Sequence, residues 1–336
     1  MKRRGKPRFV ADGVLLIDKP AGPTSHDVVE GLRRRLIPER VGHTGTLDPF
    51  ATGLLVLAFN QATRLSELIG GGAKLYRGSL ALGQAFDTGD PTGQVTAEAA
   101  IPELTAEAVT AALKTLEGPR MQAPPAYSAA KHQGRPLYAY ARAGAPVVKP
   151  PRPITVHRAE LVALTPGVVV FDMLCSRGTY VRALAEDLAQ ALGSVGHLRD
   201  LRRLASRPFA VEEAVGLDAA LELAPDALAR RLVPLAEVLD RCGLPVAALD
   251  EERAWWLRQG RVLPREVLLG QARGEHAAGA AFQVRDQDDD LVAVLRWLAP
   301  DEARPERDYE TIRVFPAAGQ AGRGDMQPSA SASGAE

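Results

Sequence analysis

The sequence predicts an α+β fold: a mixed, largely antiparallel sheet with flanking helices, followed by a small β-rich domain. Three observations predict it. Apolar strand-like runs are joined by turn residues, as in KLYRGSLALGQAFDTGDPTGQV (74–95), which reads as strand, turn, strand. Amphipathic helical stretches lie between such runs. From about residue 245 the short runs GRVLP, AAFQVRD, LVAVLRWL and TIRVF alternate with turn-rich segments.

Taken in order, residues 1–12 form a basic arm carrying Lys2, Arg3, Arg4, Lys6 and Arg8. GVLLIDKPAGPTS is a buried strand entering a Gly/Pro turn. Thr24 or Ser25 then caps a helix through Leu36, whose Val28, Leu32 and Leu36 share one face. Arg33, Arg34 and Arg35 lie off that face and read as solvated or phosphate-facing. GLLVLAF (53–59) is a continuous apolar strand. Thr105 caps a helix over 105–117 that buries Val109, Leu113 and Leu116, with Gly118 after it. The proline-rich stretch 119–153, with Tyr127, Tyr138, Tyr140 and the cations Lys131, Arg135, Arg142, Lys149 and Arg152, reads as a long excursion from the core. ITVHRAELVAL and GVVVFDMLCS are strands. GTYVRALAEDLAQALG enters a helix burying Leu184, Leu188 and Leu192. The basic segment HLRDLRRLASR precedes a helical stretch over about 213–240, and residues 317–336 read as a disordered Gly/Ala/Ser tail.

A chain of 336 residues suggests two domains, and 46% hydrophobic with 24% charged residues is a globular balance. No apolar run approaches the ~20 residues of a membrane span. MKRRGKPRFVADG has no apolar segment of a secretory signal. Cys175 and Cys242 are far apart, which argues against zinc and disulfides and fits a reducing cytoplasm. The zero formal charge is divided: residues 1–210 hold 27 Lys+Arg against 18 Asp+Glu, and residues 211–336 hold 14 against 23. A basic half raises the question of a polyanionic partner, although ordinary variation between domains would look the same.

The motifs narrow the chemistry. GGGAKL lacks the spacing of a phosphate-binding P-loop, and GxGxxG after a strand, HExxH and GxSxG are absent, so nucleotide, zinc and serine-hydrolase mechanisms have no visible site. GHTGTLDPFATGLL (42–55) holds Asp48 with His43 as its only other titratable side chain. Singly, Asp48 reads as a turn aspartate before proline and Tyr76 as a half-buried packing residue. Arg182 at a helix start stays open, because the helix dipole disfavours a cation there unless an anion is near.

Together the segments DKPAGPTSHDVV, VGHTGTLDPFATGLLVL, KLYRGSLALGQAFDTGDPTG, QAPPAYSAAKHQGRPLYAYAR and CSRGTYVRALAEDLAQALGSVGHLRDLRR, in this order, resemble the TruB family of tRNA pseudouridine synthases over residues 13 to 214. Phe86 before DTGD departs from the small polar residue expected and puts a local loop contact in question. The C-terminal part resembles the family's PUA-like domain by position and strand pattern only.

The resemblance implies isomerisation of uridine 55 in the TΨC loop of tRNA. The glycosidic bond from uracil N1 breaks, the base turns and C5 joins the sugar, with no metal or nucleotide cofactor. Asp48 would be the catalytic carboxylate, serving a nucleophilic or a glycal route alike. Arg182 would pair with it and hold its pKa down, Tyr76 would stack on the extruded uracil, and Tyr180 would lie beside the sugar for proton transfer. His43 would occupy the space left by flipped bases or simply stabilise its turn. Lys19 with Pro20 would support the site, and Leu201, Lys131 and Arg135 would contact substrate. The implied organisation is a basic arm (1–12), a catalytic domain (13–244) with an RNA-gripping insertion at about 119–153, a PUA-like RNA-binding domain (245–316) and a tail (317–336). The expected protein is a cytoplasmic monomer acting on the tRNA TΨC stem-loop, with no membrane and no obligate protein partner. A noncatalytic tRNA-binding or folding protein on the same fold and a catalytic subunit of a guide-RNA-dependent complex are the alternatives. An N-glycosidase is disfavoured by the missing second carboxylate.

Overall fold

The apolar run Gly13–Lys19 (strand β1) ends in a Gly/Pro turn, and Thr24 starts helix α1 (Ser25–Leu36) with a reciprocal capping box. The Thr24 hydroxyl accepts from the Asp27 N–H at 3.0 Å, and the Asp27 carboxylate accepts from the Thr24 N–H at 2.8 Å. Strand β2 (Val41–His43) and a tight turn then lead into β3 (Thr52–Phe59). β3 pairs antiparallel with all of β1, from Gly13 opposite Phe59 to Lys19 opposite Gly53. Both strands are buried on both faces, so neither alternates in hydrophobicity. This computed structural model describes residues 9–269, 277–299 and 308–317. The expected basic arm up to residue 8 and the expected tail from 318 lie outside the described residues. The chain divides into two units, Met1–Val238 and Leu239–Glu336.

After the short helix α2 (Ser66–Ile69), β4 (Lys74–Leu82) and the small hairpin β5 (Gln84–Phe86) and β6 (Val95–Glu98) follow, joined by the DTGD turn. Thr105 caps α3 (Ala106–Thr115), accepting from the Ala108 N–H at 3.2 Å. Residues 119–153 are not wholly an excursion. β7 (Gly118–Gln122) pairs antiparallel with the start of β10 (Arg152–Thr165), placing Gln122 opposite Arg152 at the sheet edge. Only the chain between them leaves the sheet, carrying the hairpin β8 (Lys131–His132) and β9 (Arg135–Pro136) and the turn of helix α4 (Leu137–Ala141). β11 (Val168–Cys175) returns along β10, and Tyr180 precedes α5 (Val181–Ala191), which buries Leu184 and Leu188 with Leu192 just beyond its end.

The basic segment HLRDLRRLASR, given no element in the sequence, is a strand. β12 (Gly196–Ser206) lies inside the sheet, antiparallel to β4 and parallel to β3, in the order β1-β3-β12-β4-β11-β10-β7. Two register shifts, between Leu198 and Asp200 and between Arg203 and Ala205, break its alternation. Gly53 lets β3 and β12 meet: at φ +99° it takes a conformation L side chains avoid, and a side-chain carbon there would lie 2.3 Å from the Arg203 carbonyl. One hydrophobic core joins α1, α3 and α5 to the sheet through Val28, Leu32, Leu57, Leu113, Phe171 and Leu188.

The stretch 213–240 is broken, not continuous. β13 (Phe209–Ala210) precedes it, and β14 (Val215–Gly216) and β15 (Val233–Pro234) alternate with α6 (Leu217–Glu222), α7 (Pro225–Ala229) and α8 (Leu235–Arg241). Pro225 is tolerated only at the first position of α7, and Pro234 ends β15, so neither allows one helix to run through. Arg35, read as solvated or phosphate-facing, instead donates to the Leu221 and Leu223 carbonyls at 3.1 and 2.9 Å and ties α1 to the end of α6. In the second unit, β16 (Val246–Ala248), β17 (Ala281–Arg285), β18 (Leu291–Trp297) and β19 (Tyr309–Val314) form a four-stranded sheet in that order. Helix α9 (Glu251–Arg258) was not legible in the sequence, and GRVLP is no strand. Gly260 turns the chain there, and the Leu263 N–H donates to the Tyr309 hydroxyl at 2.9 Å. Phe282 stacks on Trp297 with centroids 4.5 Å apart, and both belong to this unit's own core.

Candidate active site

The turn GHTGTLDP is fixed from several sides before any side chain on it acts. Ser25 accepts the Leu47 N–H at 2.8 Å and donates to the Leu47 carbonyl at 3.0 Å. The Pro49 carbonyl accepts from Gly22 N–H at 2.8 Å and from Lys19 Nζ at 3.3 Å. Lys19 has no exposed surface, and its ammonium also donates to the carbonyls of Pro20 (2.8 Å) and Pro23 (3.0 Å). Its place is beneath the turn, where burial drives its pKa down to about 8. From the opposite side Arg203, 2% exposed, donates to the carbonyls of Gly45 (3.1 Å), Thr46 (3.2 Å) and Leu54 (2.7 Å). A turn held this way presents Asp48 with little freedom left to lose.

Asp48 meets Arg182 from α5: its Oδ2 lies 3.0 Å from Arg182 Nε. The guanidinium is 6% exposed and has three further acceptors. They are the Asp90 carboxylate at 3.5 Å, the Tyr127 carbonyl at 2.7 Å and the Thr88 carbonyl. The sequence reading found no second acid beside Asp48, yet Asp90 shares its arginine. Asp90 is 4% exposed and also engages the hydroxyls of Thr88 and Thr92. The cation at the start of α5 is thus matched by anions. Asp48's pKa nevertheless moves up, because burial outweighs Arg182 and Asp90 repels the charge.

Gly89 allows this closure. At φ +71°, a side-chain carbon on it would stand 2.6 Å from Glu186 Oε1 and 3.3 Å from Arg182 Cβ. Gly89→Ala is expected to cost about 1–3 kcal/mol of stability and to slow turnover by moving Thr88 and Asp90 away from Arg182. Denaturant melts beside single-turnover rates would check this, and an unchanged midpoint would rule the strain out.

Two chambers meet at Asp48. The first, about 760 Å³, is bordered by Tyr76, Tyr180, Leu201, Lys74 and Arg203. The second, about 690 Å³, is bordered by His26, Asp87, Tyr127 and Arg142. His43, Asp48, Ser128 and Arg182 border both. Tyr76 is 7% exposed on β4, and burial raises its phenol's pKa despite the nearby Arg203 charge. Tyr180 is held at its peptide: Gln122 Oε1 accepts its N–H at 2.8 Å and Gln122 Nε2 donates to its carbonyl at 3.1 Å. Burial and the nearby Arg203 and His26 lower the His43 pKa, so its imidazole is neutral at pH 7.

The structure therefore brings Asp48, Tyr76, Tyr180, Arg182, His43 and Leu201 to one place. Lys131 and Arg135 border neither chamber; they stand on the exposed β8–β9 hairpin, with Arg135 5.0 Å from the Tyr140 ring centroid. Ser25, Asp90, Gln122 and Arg203 were missed by the sequence reading. The cation at the head of α5 was a signal of a nearby anion, and Asp90 is a second one beside Asp48. Phe86, the departure before DTGD, packs edge-on against His197 with ring centroids 4.5 Å apart.

Residues 33–181 match the family described as TruB family pseudouridylate synthase (N terminal domain), and residues 182–245 match the tRNA pseudouridylate synthase B C-terminal domain. A protein of Aromatoleum aromaticum named tRNA pseudouridine synthase B is 44% identical over 256 residues, covering 76% of this chain and 82% of that one. One of the same name from Burkholderia mallei (strain NCTC 10247) is 41% identical over 291 residues, covering 86% and 94%. Among solved structures, a Cbf5-Nop10-Gar1 complex matches at TM-score 0.71 and 23% identity, covering 92% of this chain and 86% of that one, a likeness of fold.

Proposed function

This chain belongs to the TruB family of pseudouridylate synthases, and we propose that it isomerises uridine 55 in the TΨC loop of tRNA to pseudouridine with Asp48 as the catalytic carboxylate. The observation that carries this reading is the Asp48–Arg182 pair at the junction of two chambers, with two tyrosines bordering the first. A base extruded from its stack fits the first chamber, where Tyr76 offers a stacking face and Tyr180 a phenol near the sugar. Asp48 then acts on the sugar, by the nucleophilic or the glycal route, ionised against Arg182, while the neutral His43 fills the gap in the loop. Lys19 positions the turn from below. Residues 245–316, within the second unit, serve as a PUA-like RNA-binding domain.

The insertion between Gln122 and Arg152 grips the RNA. Its ends already pair across the sheet edge, so deleting residues 125–150 leaves a short turn and a folded domain. Lys131, Arg135, Arg142 and Lys149 leave with it, and tRNA affinity is expected to fall at least about tenfold at moderate salt. Filter binding beside a thermal melt reads both, and unchanged affinity would remove the gripping role.

Single-turnover conversion of an unmodified tRNA transcript, with the product mapped by position, tests the function. Pseudouridine at position 55, lost in a transcript carrying cytidine there, is the expected result. Binding without conversion would favour a tRNA-binding protein, and conversion only with added RNA or protein would favour a guided subunit.

A further inference from the structure

Two buried cations stand at the wall of the first chamber without a carboxylate. Lys74 opens β4 and is 6% exposed; its Nζ donates to the Gly70 and Gly72 carbonyls, each at 3.0 Å. Arg203 lies opposite Tyr76 in the β4–β12 register, and its donors go to the main-chain carbonyls of Leu54, Thr46 and Gly45. Lys74 and Tyr76 are two apart on β4 and so share a face. The two cations converge under the Asp48 turn: a side-chain carbon on Gly45 would lie 3.6 Å from Lys74 Cε and 3.7 Å from Arg203 Nη1. Among the described residues, neither takes part in an ion pair. The charged lining of this chamber is otherwise Arg152, Arg177 and Arg182 against Asp48 and Glu67, with His43, Tyr76 and Tyr180 neutral.

Burying like charges side by side with only dipoles for partners is unfavourable. Carbonyl ties alone do not account for it, since a neutral amide donates to carbonyls as well. What gains from such an arrangement is negative charge that develops in the chamber during reaction.

We infer that Lys74 and Arg203 supply a fixed positive field that stabilises the uracil anion while the base is detached. The inference rests on the pseudouridine synthase reading. When the N1–C1′ bond breaks, its electron pair leaves with the base, and the charge spreads over N1, O2 and O4. After the base turns, C5 bonds to C1′, the proton on C5 departs and N1 takes one up, so nothing is oxidised. A pre-oriented cation pair lowers the energy of the charged state without reorganising, which is how such groups accelerate a step. Both are positioning residues here, acting across the chamber rather than bonding the sugar.

Lys74→Gln separates charge from tether, because the amide still donates to the Gly70 and Gly72 carbonyls. Single-turnover rates would be measured on a transcript containing uridine and on one made with 5-fluorouridine, following loss of the N1-linked base at the target position. Fluorine stabilises the departing anion by itself, so that base needs less help from the protein. On uridine the variant should be about tenfold slower or worse, at unchanged tRNA affinity and melting temperature. On 5-fluorouridine the deficit should shrink to about threefold or less, and Lys74→Arg should keep most of the rate. Wild-type speed in Lys74→Gln, or an equal deficit on both bases, overturns the inference. Should Lys74→Gln not fold, Arg203→Gln is put through the same ratio. A wild type that leaves uridine unchanged strikes instead at the functional reading.

Discussion

Asp48→Asn is expected to abolish pseudouridine formation, slowing single-turnover conversion by about a thousandfold or more while tRNA affinity stays within about twofold. The asparagine matches aspartate in shape and can still accept from Arg182, and the turn that carries it is held by Ser25, Lys19, Gly22 and Arg203 rather than by the carboxylate. What it lacks is the charge that acts on the sugar. Rates and binding would be measured side by side on unmodified transcript. Residual conversion within about tenfold of wild type would move the chemistry off Asp48.

Arg182→Met should have the second largest effect, and its signature is a pH shift as well as a loss. The guanidinium has four acceptors, two of them carboxylates, and both it and Asp90 are buried. Removing one member of a buried ion pair typically costs about 3–5 kcal/mol. The reactive form of Asp48 is the ionised one, so the rate falls as pH drops through its pKa. Burial already places that pKa above the usual carboxylate value, and Arg182 is the largest force opposing the rise. Without it the pKa climbs further, and the acidic limb of the pH–rate profile moves to higher pH. A limb at the wild-type position would show that Arg182 does not tune Asp48.

Much of this was legible because local rules and the global fold agree. Thr24 and Thr105 are capping residues directly before amphipathic runs, and both cap their helices. GLLVLAF has no polar alternation because β1 and β12 flank it and both its faces are buried. β12 was hidden by two bulges and by Arg203, a charged residue at a core position. The sheet pairing of 118–122 with 152–156 was hidden because it joins strands some thirty residues apart across a proline-rich loop. The site was legible as a set of motifs, but not as a network. Gln122 reaches Tyr180 across 58 residues and Arg203 reaches Gly45 across 158. Nothing in local spacing announces such pairs. The pull of Arg182 on the Asp48 pKa was visible in the sequence as a charge partner, whereas the burial that outweighs it was not.

Three separate stretches of chain converge on Arg182: the Asp48 turn, residues 88–90 and Tyr127 of the insertion. Substitutions in these stretches therefore should not act independently. A change at Thr88 and another at Tyr127 both reach the reaction through the same guanidinium, so their combined effect departs from the sum of the two. The backbone of the insertion at residue 127 is bound to the fate of a loop some forty residues earlier. Epistasis between distant surface segments is the genetic trace that one shared arginine leaves.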